Sequence, residues 1–299
     1  MRVVHAVPAV RCAVRSVVGG RRYVHAVEIT GSAINAGDGP ASNTPRWRRL
    51  TIYPVLHGRL GGAGGTLEVA KAIQATSPRQ VLVELCTSRY SEVLASAALD
   101  LPAKPPPRID IVRNVHGGLL THELVPVLQA ARQVGAAVVP VDRAALSTRN
   151  RIAQLLLNPS FIKGLLRYGT YSLQRRATAL PEDAEAIRSE LQAMCPGAHE
   201  VLVSERCRYM AHQVQASAAS GAEVVVVCGA LHCSTIAQVL RQGSGSVAAD
   251  VRLADLARRG MPVWPVLALG YLGFPALVAS YVASAAWSNM ASPVLVPAV

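Results

Sequence analysis

From Leu50 onward the apolar positions change period several times. LTIYPVLH (50–57) is a short run rich in β-branched residues, and TLEVAKAIQAT (66–76) then spaces its apolar residues as a helix does, with Thr66 as the expected N-cap. QVLVELC (80–86) predicts a second strand, and RYSEVLASAALD (89–100) opens another helix. HELVPVLQAARQVG (122–135) is amphipathic and stops at Gly135, the residue type that most easily closes a helix; AAVVPVDR (136–143) predicts a third strand. Residues 145–220 read as mostly helical, clearest in 180–194 and 202–221. AEVVVVCG (222–229) predicts a last strand and STIAQVLRQG (234–243) its helix. Strand and helix in alternation predict an α/β fold: a mainly parallel β-sheet flanked by helices, with a helical insertion.

Both ends follow other patterns. The first 27 residues alternate apolar with basic, carrying five arginines and no acid. That composition is expected either of a mitochondrial transit peptide or of a basic leader without an address. The stretch from there to residue 49 is rich in Gly, Ser, Asn and Pro, like a linker. After Arg259 no charged residue occurs, and Trp264 to Trp287 bound an apolar stretch long enough to cross a bilayer core. The two tryptophans sit where interfacial aromatics belong, and Arg258 and Arg259 place the preceding domain on the cytosolic side. The alternative is a buried helical hairpin, which Pro265, Gly270, Gly273 and Pro275 would allow. The chain thus divides into a leader and linker (1–49), an α/β domain (50–260), a transmembrane helix (262–288) and a short tail (289–299).

Composition agrees with a membrane segment or a very large core: 51% of residues are hydrophobic and only 16% charged, well below the usual quarter. The net charge of +12 comes from scattered arginines, with no Lys/Arg run interleaved with aromatics, so nucleic acid is not expected as a partner. The six cysteines form no CxxC pair, and reduced, buried thiols are expected.

The candidate chemistry lies at strand ends. Glu84, Asp142 and His232 each follow a predicted strand, and in a parallel sheet those ends share the edge where ligands bind. A carboxylate and a neutral imidazole are apt ligands for a divalent metal, which makes Glu84 and His232 the candidate metal ligands. Arg89, Glu205 and Arg206 could bring further charge to the same mouth, and with Glu84 they are the candidate catalytic set. Arginine there would suit a carboxylate or phosphate. Each residue also has a plainer reading. Glu84 and Arg89 could pair across a turn, Asp142–Arg143 could cap the next helix, and Glu205 and Arg206 could be structural partners of Glu84 or Asp142. His57, on an apolar strand, is expected to be a core histidine. No P-loop, dinucleotide fingerprint, HExxH or GxSxG motif occurs.

Four segments in order resemble the TraB domain family. They are Glu84 with Arg89 and Tyr90; Gly117 and Gly118 followed by Asp142, Arg143, Thr148 and Arg151; Glu205–Arg206 in ERCRYMAHQV; and Gly229 with His232 in a G-x-x-H turn. The resemblance implies a membrane-associated protein. Related Tiki-type members imply a metal-dependent peptidase, with a strand-end Glu and two G-x-x-H motifs. The first such motif is degenerate here: Gly58 takes the place of its Gly and Gly61 that of its His. That loss tells against hydrolysis. The expectation is therefore a non-catalytic or weakly catalytic adaptor, held to an organelle membrane such as the mitochondrial outer membrane. Its partners would be the membrane and a peptide or protein. The alternative is a metal-dependent hydrolase.

Overall fold

The computed structural model describes residues 12–16, 25–30, 47–56, 65–98, 123–175, 184–218, 221–242 and 253–257, with positions 262, 265 and 280. Six strands form one sheet: β1 (Cys12–Ser16), β2 (His25–Thr30), β3 (Arg49–Val55), β4 (Gln80–Val83), β5 (Ala137–Pro140) and β6 (Glu223–Gly229). Their spatial order is β1-β2-β3-β6-β4-β5. The four strands β3, β6, β4 and β5 run parallel, as expected, while β2 and β1 extend the β3 side antiparallel. Residues 12–16 and 25–30, expected in a leader and linker, are strands. Short strands such as CAVRS and HAVEIT carry little signal of their own, and β2 is covered on both faces, Ala26 joining one core and Ile29 the other. Ala26 and Ile29 are buried.

The sheet is the middle of three layers. Because side chains alternate across a strand, Val224, Val226 and Cys228 of β6 join one core, and Val225 and Val227 join the other. The second core packs under α1 (Thr66–Thr76), α2 (Thr87–Ala98) and α3 (Val125–Gln133), through residues such as Val69, Ile73, Val93 and Leu128. The first core lies under the long helical stretch. That stretch runs through α4 (Ala145–Leu155), α5 (Pro159–Arg175), α6 (Ala184–Met194), α7 (Pro196–His199), a π-helical turn (Glu200–Ser204), α8 (Glu205–Ser217) and α9 (Ala230–Gln242). Its inward residues include Phe161, Leu191, Met210, Val214 and Ile236. A short helix, α10 (Leu253–Ala257), follows. Cover on both faces explains why β6 is an unbroken apolar run.

Details of the sequence account for local features. Pro54 sits in β3 beyond Ile52, the last β3 residue paired with β2, so its missing N–H disturbs little on that side. Gly135 has φ +69°, a conformation other residues rarely take, and ends α3 as expected. The expected N-cap at Thr66 is a correction. The N-cap is Gly65, and Thr66 is the first helical residue, with its hydroxyl buried. The transmembrane segment placed at 262–288 lies outside the described residues apart from isolated positions. Among the described residues no helix is long and apolar enough to cross a membrane.

Candidate functional site: a guanidinium among the strand tips

The parallel strands deliver their ends to one edge, and hydrogen bonds carry the ladder past them. The Glu84 N–H donates to the Val227 carbonyl (3.0 Å), the Val141 N–H to Val83 (3.0 Å) and the Asp142 N–H to Leu85 (3.1 Å). Glu84 and Asp142 are thereby fixed side by side. His232 arrives from the first turn of α9, which starts where β6 stops. Helix α8 lies against α9 and turns Arg206 toward the same point.

The three tips meet at Arg206. Its Nε donates to Asp142 Oδ1 (3.2 Å) and its Nη2 to Asp142 Oδ2 (2.8 Å), a two-point grip that suits the planar guanidinium. Nη2 also donates to Glu84 Oε1, while Glu84 Oε2 accepts the Gly229 N–H (2.5 Å). Nη1 stands 3.3 Å from His232 Nε2. Nε2 also lies 3.4 Å from Glu84 Oε1, and since guanidinium nitrogens only donate, a hydrogen bond from Arg206 requires Nε2 to be the unprotonated nitrogen. In that tautomer the neutral imidazole carries its proton on Nδ1, which faces Cys207 Sγ at 3.2 Å. The Glu84 and Asp142 side chains are each 5% exposed and that of Arg206 16%. Burial works against the Arg206 cation, but Asp142 and Glu84 outweigh it and raise its pKa. Burial pushes the Cys207 thiol up to about 12, so it stays protonated.

A second cluster continues from the first through the main chain. The Arg143 N–H donates to Asp142 Oδ1 (2.9 Å), and the fully buried Arg143 side chain turns the other way. It donates to Glu205 Oε2 (2.6 Å), Thr148 Oγ1 (2.9 Å) and the Val201 carbonyl in the π-helical turn (2.6 Å). Arg151 donates to the other Glu205 oxygen. Burial lowers the Arg143 pKa, and Glu205 opposes that. Arg151 also donates to the Asp255 carbonyl (3.2 Å) and Ser147 Oγ to the Ala257 carbonyl (3.0 Å). These side chains therefore hold α10 by the carbonyls a helix end leaves open.

Across both clusters, three carboxylates (Glu84, Asp142, Glu205) face three guanidiniums (Arg143, Arg151, Arg206). With His232 neutral, the charges balance. In this arrangement the Arg206 guanidinium stands between Glu84, Asp142 and His232, the side chains that would have to hold a divalent cation. Among the described residues no three His, Cys, Asp or Glu side chains are placed to hold a metal ion together.

Of the residues singled out from sequence, Glu84, Asp142, His232 and Arg206 come together at the tips, with Gly229 supplying an N–H. Arg143, Thr148, Arg151 and Glu205 form the adjoining cluster. Arg89 takes no part in either: it lies on α2, with its Nε buried and without a hydrogen-bond partner among the described residues. Tyr90 packs on the core beneath α2 and α3. His57, Gly58, Gly61, Gly117 and Gly118 lie outside the described residues. The contact of Cys207 with His232, and that of Cys228 with Cys233 (Sγ to Sγ 3.3 Å), had no signal in the spacing of the cysteines. A pocket of about 210 Å³ opens at the opposite sheet edge, lined by Glu28, Arg49, Tyr53 and Glu223. Its charges also pair, Glu223 with Arg48 and Arg49. No protein-family model and no curated protein matches this chain.

Proposed function

We propose that this chain is a TraB-like adaptor anchored at an organelle membrane, and that its strand-tip cluster fastens the domain instead of turning over a substrate. The reading rests on the guanidinium of Arg206, which occupies the point where Glu84, Asp142 and His232 converge. A catalytic centre needs unspent charge or an open coordination position. Here both Glu84 oxygens are engaged and the acids are matched by arginines. The apolar stretch within 262–288 supplies the anchor and Arg258–Arg259 the cytosolic orientation, with the mitochondrial outer membrane as the organelle surface.

The test separates anchoring from the cluster. In cells lacking the endogenous protein, removal of 262–288 is expected to release the chain from membranes and abolish rescue. His232→Gln, at matched protein level, is expected to leave both intact. Rescue lost in a folded, membrane-bound His232→Gln protein would overturn the reading, as would membrane retention after the deletion. A metal-dependent hydrolase is the second reading. It is favoured by the convergence of two carboxylates and an imidazole at the edge where α/β sheets bind ligands. It requires Arg206 to withdraw from Glu84 and Asp142.

A further inference from the structure

Alternation along the strands puts Glu28 of β2, Arg49, Thr51 and Tyr53 of β3, and Glu223 and Val225 of β6 on one face of the sheet. Pairing sets Thr51 between Glu28 and Val225, and Arg49 beside Glu223. Helix α1 packs on that face further along and ends at Thr76. Ser77 then takes the left-handed conformation (φ 45°), and Pro78 leads the chain toward β4. Past the helix end a cleft of about 210 Å³ is left over the strands, with Thr76 and Pro78 in its wall.

The polar groups of this cleft are only partly used. Glu223 Oε1 accepts from Arg48 (2.6 Å) and from Arg49 Nη2 (2.8 Å), so two cations answer one acid. Arg49 Nη1 stands 3.7 Å from Glu28 Oε1, near enough for attraction and too far for a hydrogen bond. The Glu28 carboxylate accepts no hydrogen bond among the described residues, although its side chain is only 19% exposed. Tyr53 is 1% exposed and lines the cleft, and its hydroxyl makes no hydrogen bond among the described residues either. A phenol set so deeply ordinarily finds a partner. Burial raises the Tyr53 pKa, Arg49 and Glu28 acting on it in opposite senses, so the hydroxyl keeps its proton in the field of both charges.

These groups select a ligand. With Glu223 answered by Arg48, one carboxylate and one guanidinium remain, side by side and not hydrogen-bonded to each other. A ligand bearing only an ammonium would meet Arg49, and one bearing only a carboxylate would meet Glu28. Their complement is a molecule whose cation and anion are equally close, as on the single α-carbon of an amino acid. The volume equals that of about seven waters, which suits a side chain no larger than that of alanine or valine. Ala26, Val225 and Pro78 supply apolar lining for it.

The geometry points to a binding site for a small aliphatic α-amino acid, with its ammonium on Glu28 and the Thr51 hydroxyl and its carboxylate on Arg49 Nη1 and the Tyr53 hydroxyl. This goes beyond the anchored-adaptor reading and does not rest on it, because the cleft lies at the sheet edge away from Arg206.

Calorimetric titration of the full chain with alanine, valine, isobutylamine and isovalerate tests it. Saturable binding of alanine or valine is expected, with the two singly charged analogues of valine at least about tenfold weaker. Tyr53→Phe keeps the ring in the core and is expected to weaken amino-acid binding about tenfold, the effect of losing one hydrogen bond to a charged group. Glu28→Gln, at a partly exposed position, is expected to weaken it at least as much and serves if the tyrosine variant does not fold. Matching near-ultraviolet circular dichroism certifies each fold. Absence of saturable binding with both amino acids would overturn the proposal. So would equal affinity for valine and either analogue, or an unchanged affinity in either folded variant.

Discussion

Replacing Arg206 by methionine removes the cation on which Glu84, Asp142 and His232 converge, while keeping much of the side-chain length. Two carboxylates would then be left, each 5% exposed, with their charge-assisted donors gone. Exposed ion pairs contribute about 0.2–1 kcal/mol, and a loss of that size would barely register. Removing one partner of a buried pair costs about 3–5 kcal/mol, because the surviving charge stays out of water. The exposures put Arg206 nearer the second case, so Arg206→Met is expected to cost about 3 kcal/mol or more. That is a large share of the roughly 5–15 kcal/mol that holds a typical domain together. For a domain of this size it corresponds to a fall in Tm of about 6–12 °C. Urea and thermal unfolding followed by circular dichroism would measure it. A cycle pairing Arg206→Met with Glu84→Gln should show coupling of about 1–3 kcal/mol, since the two residues are in direct contact. Arg206→Lys should fall in between, because an ammonium cannot grip Asp142 at two points while also reaching Glu84 and His232. A loss below about 1 kcal/mol in Arg206→Met, or no coupling with Glu84, would refute the reasoning: the cluster would then not be fastening the fold.

Other expectations follow from the same packing and burial. Gly164→Ala places a methyl group against the Met194 carbonyl and should cost about 1–3 kcal/mol, read from the urea midpoint. A neutral effect would mean that α5 and α6 are not closely packed. Stability should fall above about pH 9. The Cys207 thiol is raised to about 12 by burial, and Cys228 is raised by its hydrogen bond with Cys233 and by burial. Below pH 9 both states keep these protons. Above it the unfolded thiols ionise while the folded ones do not, so each can remove up to about 1.4 kcal/mol per pH unit. Cys207→Ala should flatten that decline, and an identical slope in the variant would contradict it.

The parallel strands were legible because each is a short apolar run bounded by turns, and burial on both faces leaves no polar alternation to confuse them. β1 and β2 were not. The acid-free stretch up to Val27, which holds β1 and opens β2, has the composition of a transit peptide, and only the pairing of β1 with β2 and of β2 with β3 reveals the strands. The meeting of Glu84, Asp142 and His232 was legible from one rule, that parallel strands end together. What stands between them was harder to see. Arg206 comes from α8, 64 residues beyond Asp142, and its direction is set by how α8 packs on α9. The requirement that two buried acids have a counter-cation is the available signal, and it agrees with the plainer reading of Arg206 as a structural partner of those acids. Arg89 stands nearest to Glu84 in sequence among the arginines considered, yet it lies on α2 with its Nε buried and without a hydrogen-bond partner among the described residues.

Metal stoichiometry tests the central claim most directly. The full chain, β1 and β2 included because they complete the sheet, would be purified after growth with added zinc and manganese, and its metal content measured beside that of His232→Ala. Far less than one equivalent in both proteins is expected, because the Arg206 guanidinium fills the place a cation would take. About one equivalent in the wild type, lost in His232→Ala, would contradict the account and make the strand tips a metal centre.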